Sequence, residues 1–247
     1  MFSDVHCHLD HPDFKKDLKD VIAKAKKSNV TLIITSGTDQ KKNETTLRLA
    51  KEFNIVKPSL GLYPTAVKLE QSEIQKQLGF IEKNKDKIVG VGEVGMDRPM
   101  DSNDVAVQKE LFIQVIALAK KIKKPLIIHS RGAEKHVLSA LEQENVEFAL
   151  LHSYNGPVKY ARKAIDMGLF FSIPPRIISD EGFQQIEEII PDKQVLTETD
   201  SPFLAREKND RNDPSKVVDT VGFMSRRRGK NMEKVIEGNL KRFLSAP

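Results

Sequence analysis

The sequence is poor in cysteine and tryptophan and has no long apolar run. Cys7 is the single cysteine among 247 residues, and tryptophan is absent. One cysteine excludes a disulfide framework within the chain and fits a reducing compartment. No apolar stretch of about 18 residues occurs, and no basic segment followed by an apolar run opens the chain. We therefore expect a soluble, cytoplasmic protein that does not associate with a membrane.

Charge and size restrict the function only weakly. Lysine and arginine number 40 and aspartate and glutamate 35, for a formal net charge of +5. This balance favours polyanionic partners, although interleaved charges of both signs usually form a solvated surface. A chain of this length is ordinary for one α/β barrel, and its apolar fraction of 39% still supplies a core. The oligomeric state stays open, with a monomer slightly favoured.

Apolar, β-branched runs alternate with segments of helical spacing along the whole chain. Strands are predicted over residues 2–7, 30–35, 55–61, 88–93, 125–129, 147–152, 169–173 and 195–200. Helices are predicted over 14–25, 41–53, 72–83, 111–122, 135–143, 158–167 and 183–190, with two more near the end, the first capped by Asp213 ahead of Pro214. Eight strand–helix units without a linker predict a single-domain TIM (β/α)₈ barrel over residues 1–247.

Histidine, glutamate or aspartate, the side chains that commonly bind metal ions, end most of the predicted strands. Side chains alternate along a strand, so His6 and His8 share one face while Cys7 points to the other. The strand-end residues are His6, His8, Glu93, His129, His152 and Asp200. In a barrel these ends meet at the face that carries active sites, and polar groups buried there need a partner or a metal. The pattern predicts a metal site.

Five segments that contain these strand ends are residues 4–10, 91–97, 128–131, 152–156 and 197–202. In order and spacing they resemble the TatD family of metal-dependent hydrolases, which belongs to the amidohydrolase-like superfamily and is generally described as DNases. The resemblance covers nearly the whole chain. It implies a TIM barrel with a two-metal centre whose ligands are His6, His8, Glu93, His129, His152 and Asp200.

The expected chemistry follows from this ligand set. Two nearby cations need a bridging carboxylate, and Glu93 is central. His6 and His8 would hold one ion with Asp200, and His129 and His152 would hold the other. A metal-bound water would then be the nucleophile and Asp200 would accept its proton, which makes Asp200 and Glu93 the expected catalytic residues. The family implies Mg²⁺, whereas ligation rich in imidazole suits Zn²⁺ or Mn²⁺.

Substrate contacts are expected from four residues. Tyr63 stands before a proline where relatives usually have histidine, and Gly132 replaces a common aspartate. Arg131 follows His129 closely, and its guanidinium matches two phosphate oxygens, although a structural salt bridge explains it equally well. Arg176 and Arg206 lie on late βα loops and are possible contacts to the DNA backbone.

The predicted activity is exonucleolytic cleavage of DNA, single-stranded or from an accessible end. One alternative keeps the binuclear site and hydrolyses D-aminoacyl-tRNA or another ester. A second is a nicotinamide-dependent oxidoreductase, because residues 90–95 match G-x-G-x-x-G; however, a dinucleotide site needs a helix next, and residues 97–101 predict a loop. A third is a catalytically silent nucleic-acid binder that uses basic residues such as those at 226–228.

Overall fold

The structure, a computed structural model, describes residues 1–98 and 105–245. Eight strands form one sheet in sequential order, and each pairs in parallel with the next. The strands are β1 (Phe2–Cys7), β2 (Val30–Ser36), β3 (Val56–Leu60), β4 (Gly90–Gly95), β5 (Leu126–His129), β6 (Ala149–His152), β7 (Phe170–Ile173) and β8 (Val195–Thr197). The predicted (β/α)₈ barrel is confirmed.

Helices follow the strands and cover the outside of the barrel. Within the described ranges they are α1 (Leu18–Lys27), α2 (Gln40–Glu52), α3 (Gln71–Lys83), α4 (Val105–Ile122), α5 (Glu134–Gln143), α6 (Val158–Asp166), α7 (Glu181–Ile189), α8 (Val217–Arg228) and α9 (Met232–Leu244). None of these helices has the length and apolar character needed to cross a bilayer. Residues 99–101 of the predicted loop lie outside the described residues.

Alternation along β1 decides which of its side chains reach the site. Val5 and Cys7 are fully buried and belong to the hydrophobic clusters between barrel and helices, as expected for Cys7. Asp4 and His6 are also fully buried but take the opposite face. One strand therefore supplies both apolar packing and polar groups for the barrel interior.

Hydrogen bonds join the last strand region to the first and complete the barrel. The amide of Asp200 donates to the carbonyl of His6 (2.9 Å), and the amide of His8 donates to the carbonyl of Ser201 (2.8 Å). This junction, which we call the seam, fixes Asp200 beside the two histidines of the first segment.

Two predicted strand ends were misplaced, although the residues themselves reach the expected face. Glu93 lies inside β4 rather than at its end. Asp200 lies three residues beyond the end of β8, in left-handed backbone (φ 52°). The neighbouring strand β7 ends at Ile173 and is followed by two prolines, which have no amide hydrogen to donate, and the amide of Thr199 donates to the carboxylate of Asp4 (2.9 Å).

Asp213 caps the entry to α8, as the sequence predicts, although a single 3₁₀ turn (Pro214–Lys216) comes first. Its Oδ1 accepts the amide of Ser215 (3.0 Å), and its Oδ2 lies 2.6 Å from Nζ of Lys24. Burial opposes ionisation of this carboxyl, but the Lys24 ammonium and the Ser215 hydroxyl hold its pKa below the usual value.

We expect Asp213→Ala to lower the free energy of unfolding at pH 7 by about 1 kcal/mol, because the cap and the ion pair are both lost. A lowered carboxyl pKa contributes stability above the unfolded-state value of about 3.9 and loses it as the pH falls. The difference from wild type should therefore shrink below about pH 4. Urea unfolding at several pH values measures it, with the exposed Asp210→Ala as control. An equal loss in both variants would contradict the cap.

Candidate metal centre

The six predicted ligands meet at the carboxyl-end face of the barrel, around Glu93. Its Oε2 lies 3.3 Å from Nε2 of His8 and 3.6 Å from Nε2 of His6. Its Oε1 lies 3.0 Å from Nδ1 of His129 and 3.1 Å from Nε2 of His152. One carboxylate from β4 thus contacts imidazoles contributed by three other strand ends.

Asp200 completes one half of the cluster. Its Oδ1 is 3.5 Å from Nε2 of His6 and 3.4 Å from Nε2 of His8. His129 and His152 form the other half, on the far oxygen of Glu93. Three sets of ligand atoms each lie within 4.8 Å of one another: His6, His8 and Glu93; His6, His152 and Asp200; and Glu93, His129 and His152.

These residues fit a divalent cation. Nε2 of His6 is buried and has no hydrogen-bond partner in the described part of the chain. Donor atoms bound at about 2.0–2.1 Å to the same ion lie about 3–3.5 Å apart, and the contacts between Glu93 and the imidazoles span 3.0–3.6 Å. A buried ring nitrogen without a hydrogen-bond partner, 3.6 Å from a carboxylate oxygen, is explained if both atoms bind one ion.

The electrostatics of the cluster also favour a cation. Burial disfavours the charged form of Glu93, yet the imidazoles of His152 and His129 hold its pKa well below the usual value. Burial likewise opposes charge on His8, but the carboxylates of Asp200 and Glu93 raise its pKa to about 10. Because metal ligands must be deprotonated, protons and the ion compete for these groups, and cation affinity increases with pH.

Asp97 holds His129 in orientation. This buried carboxylate accepts the hydroxyl of Tyr63 (2.9 Å) and Nη2 of Arg131 (2.8 Å), and its Oδ2 is 3.1 Å from Nε2 of His129. Nδ1 of the same imidazole faces Glu93. Burial opposes ionisation of Asp97, but His129 and Arg131 hold its pKa well below the usual value. A carboxylate on the outer nitrogen fixes the ring and leaves the inner nitrogen to the ion.

Glu198 has the corresponding place behind His152. It is fully buried and accepts the hydroxyls of Ser172 (2.5 Å) and Ser153. Its Oε1 lies 3.7 Å from Nδ1 of His152, whose Nε2 faces Glu93. Two of the four imidazoles are thus backed by a carboxylate.

An open cavity of about 700 Å³ lies over the cluster, and a second of about 340 Å³ adjoins it. Both are lined by His129, Arg131, His152 and Asp200. The larger also has on its wall the following residues: Asp10, His11, Thr38, Asp39, Lys42, Tyr63 and Phe203. A substrate can therefore reach the cluster directly from solvent.

The predicted substrate contacts divide into two pairs. Tyr63 and Arg131 line the larger cavity, although both are bound to Asp97, so the salt bridge considered for Arg131 is present. Arg176 and Arg206 line neither cavity, and Arg206 instead pairs with Glu207 (3.4 Å). The structure does not bring these two arginines to the site.

The basic residues near the end of α8 are largely neutralised. Nε of Arg228 contacts Glu187 (2.5 Å), and its Nη1 contacts Asp192 (2.7 Å). Nζ of Lys230 also contacts Asp192 (2.6 Å). These pairs tie the end of α8 and the residues just after it to α7 and to the turn that follows α7, so this surface offers less free positive charge than its sequence indicates.

Asp97, Glu198 and Phe203 belong to the site, but the sequence alone did not single them out. Asp97 and Glu198 each come within two residues after a strand, so the rule used for the ligands would have reached them. Phe203 follows Asp200 by three positions, and only the loop conformation reveals that its ring is exposed in the cavity.

Comparisons with known proteins agree with this geometry. The family model described as TatD related DNase matches residues 3–245. Among curated proteins, human "Deoxyribonuclease TATDN3" is 34% identical over 95% of this chain and 90% of its own length. An "Uncharacterized metal-dependent hydrolase" of Methanocaldococcus jannaschii is 32% identical over 87% of this chain and 84% of its own.

Solved structures share the fold. YJJV, a TatD homologue from Escherichia coli, superimposes with a TM-score of 0.88 at 23% identity. The match covers 100% of this chain and 98% of that one. At this identity the likeness establishes the barrel alone.

We expect Asp97→Asn to weaken divalent-ion binding by about 10- to 100-fold, because His129 loses the carboxylate that orients it. Calorimetric titration of the metal-free protein with Mn²⁺ measures the change. Asp86→Asn, an exposed aspartate at the opposite end of the barrel, is the control. Unchanged affinity in Asp97→Asn would show that His129 is held by its other contacts.

Proposed function

This chain belongs to the TatD family of metal-dependent hydrolases, and we propose that it cleaves phosphodiester bonds of DNA from an accessible end. The observation that supports this most directly is the cluster itself: four imidazoles and Asp200 around one buried carboxylate, beneath an open cavity. The name of the human relative, a deoxyribonuclease, supports DNA as the substrate. Single-stranded DNA suits the open cavity, because its unpaired bases are free to contact the cavity wall.

Two divalent ions would be held by the cluster. His6, His8 and Asp200 would hold one, His129 and His152 would hold the other, and Glu93, which lies between these two groups, would be a ligand as well. Bound ions lower the pKa of a water molecule and neutralise charge on the phosphoryl oxygens. The family resemblance implies Mg²⁺, whereas the four imidazoles suit Zn²⁺ or Mn²⁺.

The chain's own residues have distinct tasks in this mechanism. The side chain of Asp200 is 14% exposed toward the cavities, and its Oδ1 lies within 3.5 Å of Nε2 of both His6 and His8. From this position its carboxylate would accept a proton from the attacking water. Arg131 uses Nε and Nη2 on Asp97 and carries positive charge at the cavity wall, where it would attract the phosphate backbone.

The same cluster would also hydrolyse an ester, and D-aminoacyl-tRNA is the alternative substrate. Cleavage of that ester without cleavage of DNA by one preparation would favour the alternative. The cytoplasmic location and the monomeric state stay predictions.

We expect Glu93→Gln and His129→Ala to lose both bound metal and cleavage of a single-stranded oligonucleotide, because each removes a ligand atom of the cluster. Elemental analysis and a cleavage assay across Mg²⁺, Mn²⁺ and Zn²⁺ measure the two losses. His136→Ala on α5 and Glu181→Gln on α7 are matched controls away from the cavities. Undiminished cleavage in either cluster variant would refute the site.

Asp200→Asn should separate proton transfer from metal binding. An amide keeps an oxygen toward His6 and His8 but cannot accept the proton, so kcat should fall on the order of 10²- to 10⁴-fold. Metal content should fall much less, because five other ligands remain. Equal loss of kcat and of metal would deny Asp200 the role of base.

A further inference from the structure

Phe203 has an unusual environment for a phenylalanine. In the described ranges, four large apolar side chains are more than a third exposed, namely Met1, Leu69, Val107 and Phe203. Of these, Phe203 alone lines the cavity over the metal cluster, and it is 49% exposed. The water-facing ring therefore stands where the substrate enters.

Its backbone is fixed to the cluster. The amide of Phe203 donates to the carbonyl of Asp200 (2.8 Å), and its carbonyl accepts Nδ2 of Asn212 (2.8 Å). Asn212 is fully buried and also donates to the carbonyl of Thr199 (2.8 Å). The segment that positions Asp200, a candidate metal ligand, thus also sets the position of the ring. This backbone therefore needs no ordering when a substrate binds.

Two imidazoles contact the ring without covering it. His11 meets it nearly perpendicularly, with ring centroids 5.3 Å apart and planes at 76°, and His8 does so at 6.1 Å and 66°. Edge-to-face contacts of this kind hold an aromatic ring in place. A planar group can still stack against the part of Phe203 that remains exposed.

The ring of Phe203 lies close to the cluster where a phosphate of the substrate would bind. Lys42 lines the same cavity, with its Nζ 3.0 Å from Oγ1 of Thr38 and 3.7 Å from Asp39. The ring lies 6.1 Å from His8, a candidate metal ligand, and neighbouring nucleotides are spaced about 3.4 Å apart along a stacked strand. A base on Phe203 would therefore lie within one or two nucleotides of a phosphate at the cluster.

We infer that Phe203, braced by His11, is a stacking platform for one nucleobase of a single-stranded DNA substrate beside the scissile phosphate. The inference rests on the proposed function and extends it to a residue that positions the substrate. Stacking tolerates all four bases because each has a π-face, so the platform would hold the strand without reading its sequence.

The test compares two substrates that differ only in the planarity of one base. A short oligonucleotide carries thymidine, or 5,6-dihydrothymidine, at each of its terminal positions in turn; saturation puckers the ring but keeps its hydrogen-bonding edge. Kd is measured by fluorescence anisotropy in EDTA, which prevents turnover, and KM and kcat are measured with metal. The variants are Phe203→Leu, Phe203→Trp and, as an exposed apolar control away from the cavity, Val107→Ala.

We expect Phe203→Leu to raise Kd and KM for the thymidine substrate about tenfold, with little change in kcat. For the dihydrothymidine substrate at the stacked position, the same variant should change both constants less than about twofold. Phe203→Trp should restore or improve binding of thymidine. Val107→Ala should behave as wild type.

Two results would overturn the inference by itself. One is an equal effect of Phe203→Leu on both substrates, and the other is a wild-type enzyme that binds thymidine and dihydrothymidine equally at every position. The second comparison needs no variant, so it decides even if Phe203→Leu fails to fold. A wild-type protein that holds metal but cleaves no DNA would instead overturn the proposed function, and this inference with it.

Discussion

The arrangement of side chains at the centre of this barrel depends on one buried negative charge, the carboxylate of Glu93. Glu93 is almost completely shielded from water, and isolated charges in such surroundings are costly unless they are paired or bind a metal. Four imidazoles satisfy it in the described structure, and the same imidazoles are natural ligands for a divalent ion. The negative charge of Glu93 is therefore compensated either by protons on the imidazoles or by a bound cation. Most other features of the site can be understood as holding these groups in place.

Carboxylates behind the ligands supply much of that support. Asp97 and Glu198 lie on the outer sides of His129 and His152, each with hydroxyl donors of its own. Asp97, at hydrogen-bond distance, fixes which ring nitrogen of His129 faces Glu93, whereas Glu198 lies 3.7 Å from His152 and makes no hydrogen bond to it. Tyr63 adds to this support by donating its hydroxyl to Asp97 (2.9 Å). Its side chain also lines the larger cavity, so one residue links the cavity wall to the carboxylate behind His129.

The fold, and the meeting of the six predicted ligands at one face, could be predicted from sequence because both depend on local patterns. Apolar runs and helical spacing located eight strand–helix units, and the rule that strand ends meet at one face located His129 and His152. Asp200 shows where the local pattern fails: β8 ends at Thr197, and Asp4, from the other end of the chain, takes the hydrogen bond of Thr199. Phe203 and the late-loop Arg206 depend on loop conformation, which no periodicity encodes.

The seam between the first strand and the segment around Asp200 has a consequence for the order in which the molecule is made. His6 leaves the ribosome first, yet its partner across the seam is synthesised only after seven further strands. Contacts so distant along the chain form late, since the ends of a long loop must be brought together first. A nascent chain therefore lacks a complete ligand set until the barrel is nearly whole. The six predicted ligands are thus brought together only when the barrel closes.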